Sequence, residues 1–411
     1  MPVPPCDILF IHQNMPGQFR YLAPVFAASP DFRITFLTRR EGVDLDRVRT
    51  VRYPAPEEKR ETSDALLAPV EKVLRFGRAV LTAGLELRAQ GYRPRLIIVH
   101  PGWGEGLFLR DIWPEARIVT YGEYYYRADG GDIGFDPLFP VTAQGLARSR
   151  MMNTHLLLAH EQADRVLCPT HWQKQRHPAF LQAKTDVIFD GIDTTRARPN
   201  PAARVALDNG PVLTVTDEVI TYVARNLEPH RGFHVVMHAL PALLAARPRA
   251  HVVIVGGENV SYSPAARAPH ASWKAQLLGE IDLGAQAARV HFVGQLPYQV
   301  YLDLLAISSV HLYLTYPFVL SWSCLEAMAA GCLMVASDTG PVREVISHGE
   351  NGLLFPFFDR AALVETVCTA LDDRALDTRL RANARETVLT RYDLRACLAA
   401  QAKLIERMLR P

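Results

Sequence analysis

Tyr222-Val-Ala-Arg-Asn-Leu-Glu-Pro-His-Arg-Gly232 puts two cations, Arg225 and Arg231, between an apolar strand and an apolar-periodic helix that opens at Gly232. Each guanidinium offers a planar fork of donors that suits phosphate oxygens, so two at this spacing can grip one diphosphate. Further on, Leu325-Glu-Ala-Met-Ala-Ala-Gly331 reads as a helix carrying Glu326 in its first turn, an acceptor for the hydroxyls of a sugar diol. Together the two segments point to a nucleotide-sugar site.

Working outward, short apolar runs alternate with helical patterns along the whole chain, the signature of parallel strands buried on both faces. The runs are Ile8–Ile11, Ile34–Leu37, Leu96–Val99, Ile118–Tyr121 and Val166–Cys168, then Ile220–Ala224, His251–Val255, Val290–Val293, Val310–Leu314 and Leu333–Ala336. Both halves therefore predict doubly wound, Rossmann-like α/β domains, two such folds facing each other across a cleft. Each opens alike, with a strand, a polar turn holding Pro and Gly, and a helix: Ile11-His-Gln-Asn-Met-Pro-Gly17 and Ala224 to Gly232. The join is expected between Asp193 and Gly210, where two prolines break the periodicity, giving domains 1–195 and 196–390. An amphipathic helix within 391–411 is placed as a brace crossing back to the first domain.

At 411 residues the chain exceeds one compact core and predicts two domains of roughly 150–200 residues. With 49% hydrophobic and 21% charged residues and a formal net charge of +2, the composition is that of a soluble enzyme. No basic stripe with interleaved aromatics calls for nucleic acid. The six cysteines Cys6, Cys168, Cys324, Cys332, Cys368 and Cys397 have neither CxxC nor metal-ligand spacing and read as free thiols in a reducing compartment. The start, Met1 to Asp7, lacks a basic n-region, and no run approaches the roughly 18 apolar residues that span a bilayer. A cytoplasmic protein is the default, with peripheral contact at the inner membrane face and oligomeric state left open.

The Arg225/Arg231 pair sits where a strand's carboxyl end meets a helix amino terminus, the ligand-binding edge of open α/β sheets, and the helix dipole adds modest attraction for an anion. Surface charge is the plainer account of arginines outside strands. Ser321-Trp-Ser-Cys-Leu-Glu326 opens a helix with Ser321 as candidate cap, whose amides can receive a phosphate. A capping role is the competing use of Glu326. In the first half, His100-Pro-Gly-Trp-Gly-Glu105 and Gly122-Glu-Tyr-Tyr-Tyr-Arg127 follow strands. This makes His100 and Glu123 candidate catalytic groups and Trp103, Glu105 and Tyr124 candidate acceptor-side residues. A tyrosine cluster equally serves packing. Gly17 is expected to bring the first-domain backbone close to the sugar or phosphate, against the view that it is a simple turn glycine. Asp44-Leu-Asp46 is a metal-binding DxD as a string alone and reads as a surface loop, so no metal is assigned.

The segments Val187–Asp193, Tyr222–Gly232, Val252–Gly256, His291–Gly294, Leu325–Gly331 and Glu344–Leu354, in that order, resemble the motifs of the GT-B retaining glycosyltransferases of family four. The resemblance covers nearly all of the second half. It implies a metal-independent enzyme that uses no cofactor and moves a sugar from a UDP- or GDP-type donor to a hydroxyl acceptor in glycan or glycoconjugate synthesis, with retention of configuration. It also implies that Arg225 and Arg231 hold the donor diphosphate, that Glu326 holds the ribose, and that Gly17, Gly256, Ser321, Ser323 and Leu325 line the donor. Glu123 corresponds approximately to a His beside the family's reacting centre. Arg231 stands where Lys is usual. Phe318 departs further, replacing the Glu that touches the donor sugar, and Val-Leu-Ser-Trp322 replaces the Gly-aromatic-Gly turn after it. With that carboxylate gone, Ser321, Trp322 or Ser323 would supply sugar contacts, while Phe318 packs. The same scaffold also serves sugar epimerases and phosphorylases, and a non-catalytic nucleotide-sugar or glycan-binding protein is the other alternative. Donor hydrolysis or transfer separates the last from an enzyme.

Overall fold

The computed structural model describes residues 5–55, 64–208 and 210–410; the reading of the amino terminus falls partly on residues 1–4, outside them. The chain divides into two compact units, Met1–Asp190 with Arg395–Pro411, and Gly191–Leu394.

The first unit is built on strands β1 (Cys6–Ile11), β2 (Phe32–Thr38), β3 (Val48–Arg52), β4 (Leu96–Val99), β5 (Arg117–Tyr121), β6 (Arg165–Cys168) and β7 (Thr185–Val187). They form one parallel sheet in the order β3-β2-β1-β4-β5-β6-β7. Side chains alternate across a strand with period two. Hence Ile8 and Phe10 join Ile34, Phe36, Leu96 and Ile98 on one face, while Leu9 and Ile11 join Leu37, Ile97 and Val99 on the other. An uninterrupted apolar run is what a strand covered on both faces requires. The last helix, Leu394–Leu409, sets Leu404 and Ile405 into the core face of Ile8 and Phe10. It is tied there by Gln401 Nε2 donating to the Phe189 carbonyl at 2.9 Å.

The second unit starts with an antiparallel hairpin of β8 (Arg204–Ala206) and β9 (Val212–Thr214). Its parallel sheet comprises β10 (Val219–Asn226), β11 (His251–Gly257), β12 (Val290–Gly294), β13 (Val310–Tyr313), β14 (Met334–Ser337) and β15 (Leu353–Phe355), in the order β12-β11-β10-β13-β14-β15. The hairpin begins inside the stretch 193–210 where the join is expected. Val205, Leu207 and Leu213 are buried with Val219, Val253 and Leu304, so the stretch after the prolines belongs to the second core. Ile192 N–H donates to the Tyr392 carbonyl at 2.8 Å and Leu394 N–H to the Ile192 carbonyl at 2.9 Å, pairing the outgoing and returning chain at the edge of this unit.

In both sheets the strand order reverses once, between β1 and β4 and between β10 and β13. Ligands of open α/β sheets bind outside the carboxyl ends of the strands at such a switch point. Among the described residues no helix is long and apolar enough to cross a membrane.

Candidate functional site

At the switch point of the second unit, β10 ends in Arg225 and Asn226, and the pairing with β11 shifts register between Val223 and Asn226. Such a bulge re-aims the side chain it carries. Arg225 is exposed there. Arg231 is held instead: its Nη1 donates to Thr315 Oγ1 at 2.7 Å and to the Val319 carbonyl at 3.0 Å, and its guanidinium carbon lies 5.7 Å from the ring centroids of both Tyr262 and Phe318. The charge is thus fixed at the carboxyl end of β13. Gly232 follows with φ +75°, and a Cβ there would meet Leu314 Cβ at 2.4 Å. Only glycine lets the helix Phe233–Ala246 start so close to β13.

Phe318 is 5% exposed. Its ring centroid lies 4.6 Å from that of His230 and 4.8 Å from that of Tyr262, in edge and tilted contacts. The place of an expected carboxylate is therefore occupied by an aromatic cluster that supports Arg231. Glu228, which the sequence analysis passed over, organises the cover of this cluster. Its buried carboxylate accepts the N–H groups of Ser261, Tyr262 and Ser263 at 3.0, 3.0 and 2.9 Å.

Glu326 is not in the first turn of its helix. The helix runs Trp322–Ala329 behind Ser321, so Glu326 is its fifth residue, beyond reach of the first amides. Its carboxylate accepts the Tyr298 hydroxyl at 2.7 Å and the Tyr301 hydroxyl at 2.9 Å. Burial, followed by this carboxylate, pushes the Tyr301 phenol well above its ordinary range and keeps it a donor. The two tyrosines stand three apart on the helix Tyr298–Ala306, which puts both hydroxyls on one face; that spacing was the signal available in the sequence. Ser321 has the extended backbone of a cap but makes no capping bond with its side chain. Its hydroxyl pairs with Ser323 Oγ at 2.7 Å and donates to Tyr313 Oη at 3.1 Å. The start of the helix thus carries a small hydroxyl cluster of Ser321, Ser323 and Tyr313. Leu325 is fully buried, and its side chain is core. Gly256, at the end of β11, is required by packing, since a Cβ would meet Leu227 Cδ2 at 2.7 Å and the Ala224 carbonyl oxygen at 2.8 Å.

The first unit gathers a second group of side chains at its own switch point. His12 follows β1 and His100 follows β4, with ring centroids 4.9 Å apart, and Trp103 stacks on His100 at 4.8 Å. His100 Nε2 lies 3.3 Å from Glu123 Oε2, which brings together the two groups singled out as catalytic candidates. Gln18 Nε2 donates to the other oxygen, Oε1, at 2.9 Å, and Gln18 Oε1 meets His12 Nε2 at 2.7 Å. Burial first, then His100, lowers His12 to about 3, so this imidazole is neutral. Gly17 has φ +52°, and a Cβ on it would fall 2.3 Å from His12 Nε2; the close approach it permits within this unit is to that ring. Among the acceptor-side candidates Trp103 is half-buried, whereas Tyr124 is buried with its hydroxyl donating to Asp132 Oδ1 at 2.7 Å. Glu105 is buried at 1% exposure under the loop, accepts the Tyr53 hydroxyl at 3.1 Å, and is raised by its burial to about 7. His12 and Gln18 belong to no motif of the sequence, unlike the neighbouring Gly17. The polar run Ile11-His-Gln-Asn directly after a buried strand was the available sign. Among the described residues no group of three or more His, Cys, Asp or Glu could hold a metal ion.

Two parallel α/β units of Rossmann order, with charged and aromatic side chains at the switch point of each, define a protein of the GT-B class. Residues 208–387 match the family described as glycosyl transferases group 1, and residues 30–197 match the glycosyl transferase family 4 group. Both halves of the chain thus match glycosyl transferase families, which supports a GT-B glycosyltransferase of group 1. A lipopolysaccharide core biosynthesis mannosyltransferase of Rhizobium meliloti is 26% identical over 57% of this chain and 64% of its own length. A D-inositol 3-phosphate glycosyltransferase of Streptomyces avermitilis is 28% identical over 58% of this chain and 51% of its own. The match thus spans less than two thirds of either relative. Among solved structures, sucrose-phosphate synthase from Thermosynechococcus elongatus superposes with a TM-score of 0.74 at 21% identity, covering 98% of this chain and 99% of that one. An Anabaena protein, HepE, solved in complex with UDP-glucose, has a TM-score of 0.66 at 16% identity, covering 98% and 99%.

Proposed function

We propose that this protein transfers a sugar from a nucleoside diphosphate sugar of the UDP or GDP type to a hydroxyl acceptor, with retention of anomeric configuration and without a divalent metal. The observation that carries the reading is the set at the second switch point. It consists of Arg225 exposed on its bulge, Arg231 fixed by Thr315 and Val319, and Glu326 braced by two tyrosine hydroxyls. Arg225 and Arg231 grip the diphosphate, and the amides opening the helix Trp322–Ala329 add donors to the same anion. As the glycosidic bond breaks, negative charge grows on the leaving phosphate, where preorganised cations stabilise the transition state more than the ground state. Glu326 holds the ribose diol. Ser321 and Ser323 take the place of the missing carboxylate toward the sugar, over the cluster that includes Phe318. Gly17 serves the donor, the His100–Glu123 pair the reacting centre and Trp103 the acceptor, and the buried Glu105 and Tyr124 support the loops that carry them.

The relatives named as glycosyltransferases and the neighbour solved with UDP-glucose support the donor class, and retention follows from the family resemblance. The experiment is incubation with a panel of UDP- and GDP-sugars and hydroxyl acceptors, with the anomer of the product assigned by NMR. Transfer with retention, unchanged by EDTA, is expected. Nucleotide binding without turnover of any donor contradicts the enzyme reading, and activity abolished by EDTA contradicts metal independence.

A further inference from the structure

The four groups His12, Gln18, Glu123 and His100 form a directed network. Asn14 N–H donates to His12 Nδ1 at 2.9 Å, so the proton of this neutral ring sits on Nε2 and is donated to Gln18 Oε1 at 2.7 Å. That bond fixes which end of the Gln18 amide faces which neighbour, because an amide has an acceptor at one end and a donor at the other. Its Nε2 is thereby turned to Glu123 Oε1 at 2.9 Å. The second ring repeats the device: Gly102 N–H donates to His100 Nδ1 at 3.2 Å, leaving the His100 proton on Nε2, 3.3 Å from Glu123 Oε2. Two backbone amides thus set two tautomers: His12 reaches one oxygen of the Glu123 carboxylate through Gln18, and His100 Nε2 stands at ion-pair distance, 3.3 Å, from the other. Buried polar groups cost free energy unless they are hydrogen-bonded, and a bonded network of this kind is rigid. Gly17 completes it, since any Cβ would strike the His12 ring. The Glu123 side chain remains 36% exposed while its neighbour His100 is 2% exposed, so the network is buried behind the carboxylate and the carboxylate faces outward.

We infer that His12 and Gln18 are positioning residues that hold the outward-facing carboxylate of Glu123 in the orientation in which it accepts a hydrogen bond from the hydroxyl of the incoming acceptor, sugar or water. This rests on the transferase reading above. His12 acts through Gln18, and Gln18 touches Glu123 directly; neither contacts substrate.

The test measures steady-state cleavage of UDP-glucose and GDP-mannose, followed as nucleotide release into water, for wild type, Gln18→Ala, His12→Phe and the double variant. His12→Phe keeps a ring of similar size and removes both nitrogens. The loss of one hydrogen bond to a charged group predicts a fall in kcat of about 10- to 100-fold in Gln18→Ala, with KM for the nucleotide sugar within about twofold of wild type. His12→Phe should lower kcat as well, and the double variant should be no slower than Gln18→Ala, because effects routed through one residue do not add. Thermal melts and nucleotide titrations establish that each variant is folded. If His12→Phe does not fold, Gln18→Ala decides alone. An unchanged kcat in a folded Gln18→Ala, or a fall confined to donor KM, overturns the inference and leaves the transferase reading intact. A double variant whose loss is the product of the single losses overturns the route from His12 through Gln18. If wild type cleaves neither, the same comparison is made with the donor and acceptor it turns over in the panel above, and a wild type inert with the whole panel overturns this inference together with the transferase reading.

Discussion

Arg225 and Arg231 carry the same charge in different company, and that difference is measurable. Arg231 is bonded to Thr315 and Val319 and stands beside two rings, so Arg231→Ala should lower both nucleotide affinity and melting temperature. Arg225 is exposed, so Arg225→Ala should weaken nucleotide binding by roughly 1.5–3 kcal/mol, the value of a charged hydrogen bond, with the melting temperature unchanged. Calorimetry beside thermal melts checks both. Glu326→Gln keeps the shape but turns one acceptor into a donor against a tyrosine hydroxyl, and should cost about 1–3 kcal/mol of nucleotide affinity or fold stability. If the carboxylate also binds ribose, wild type should discriminate against a 2′-deoxynucleotide more than the variant does, and equal discrimination would assign Glu326 to its tyrosines alone. Phe318→Glu forces a carboxylate among His230, Tyr262 and Arg231 in a buried place. It should destabilise the fold and lower activity, whereas a gain of activity would show that the site lacks that carboxylate and has no replacement.

At the scale of elements, the helix Leu394–Leu409 contributes Leu404 and Ile405 to the first core. Ile405→Ala should therefore cost about 2–5 kcal/mol, read as a lower denaturant midpoint. The ten strands read from apolar runs are all present because strands buried on both faces need continuous apolar residues. Those the sequence hid are short or half-covered. In β3, Val48-Arg-Thr-Val-Arg52 mixes charge into an edge strand; β7 and β15 have three residues each; and β8 and β9 pair in a hairpin beside prolines. The place of Arg225 and Arg231 between a buried strand and the helix that opens after Gly232 was legible from the strand–turn–helix pattern. Contacts with distant partners were not: the three-residue spacing of Tyr298 and Tyr301 aligns their hydroxyls and a polar run follows β1, yet neither names Glu326 or Glu123 as the partner, and nothing local announces that Glu228 binds three amides of a loop.

Across the whole molecule, both units bury imidazoles in their interiors. Burial holds His12 and His311 to about 3 and His155 and His177 to about 4, from an ordinary 6.5. For a base whose folded pKa is lowered, the unfolded chain binds more protons between the two values. Its stabilising share is therefore complete above about 6.5 and is lost as pH falls toward the folded value, by up to about 1.4 kcal/mol per pH unit for each ring. Glu105, raised to about 7, pulls the other way between 4.5 and 7 but is one group against four. Melting temperature should accordingly decline from about pH 6.5 downward, well above the range in which carboxylates usually dominate acid unfolding. A flat profile from pH 7 to pH 5 would contradict the neutral buried state of these rings. Whether the second unit grips a nucleoside diphosphate sugar through its paired arginines for transfer is decided by one comparison. Sugar release from UDP- and GDP-sugars is measured for wild type and for Arg225→Ala and Arg231→Ala, on protein shown to be folded. Wild type should turn the donor over and both variants should lose more in kcat than in binding; equal turnover in all three proteins would contradict a diphosphate grip by the paired arginines.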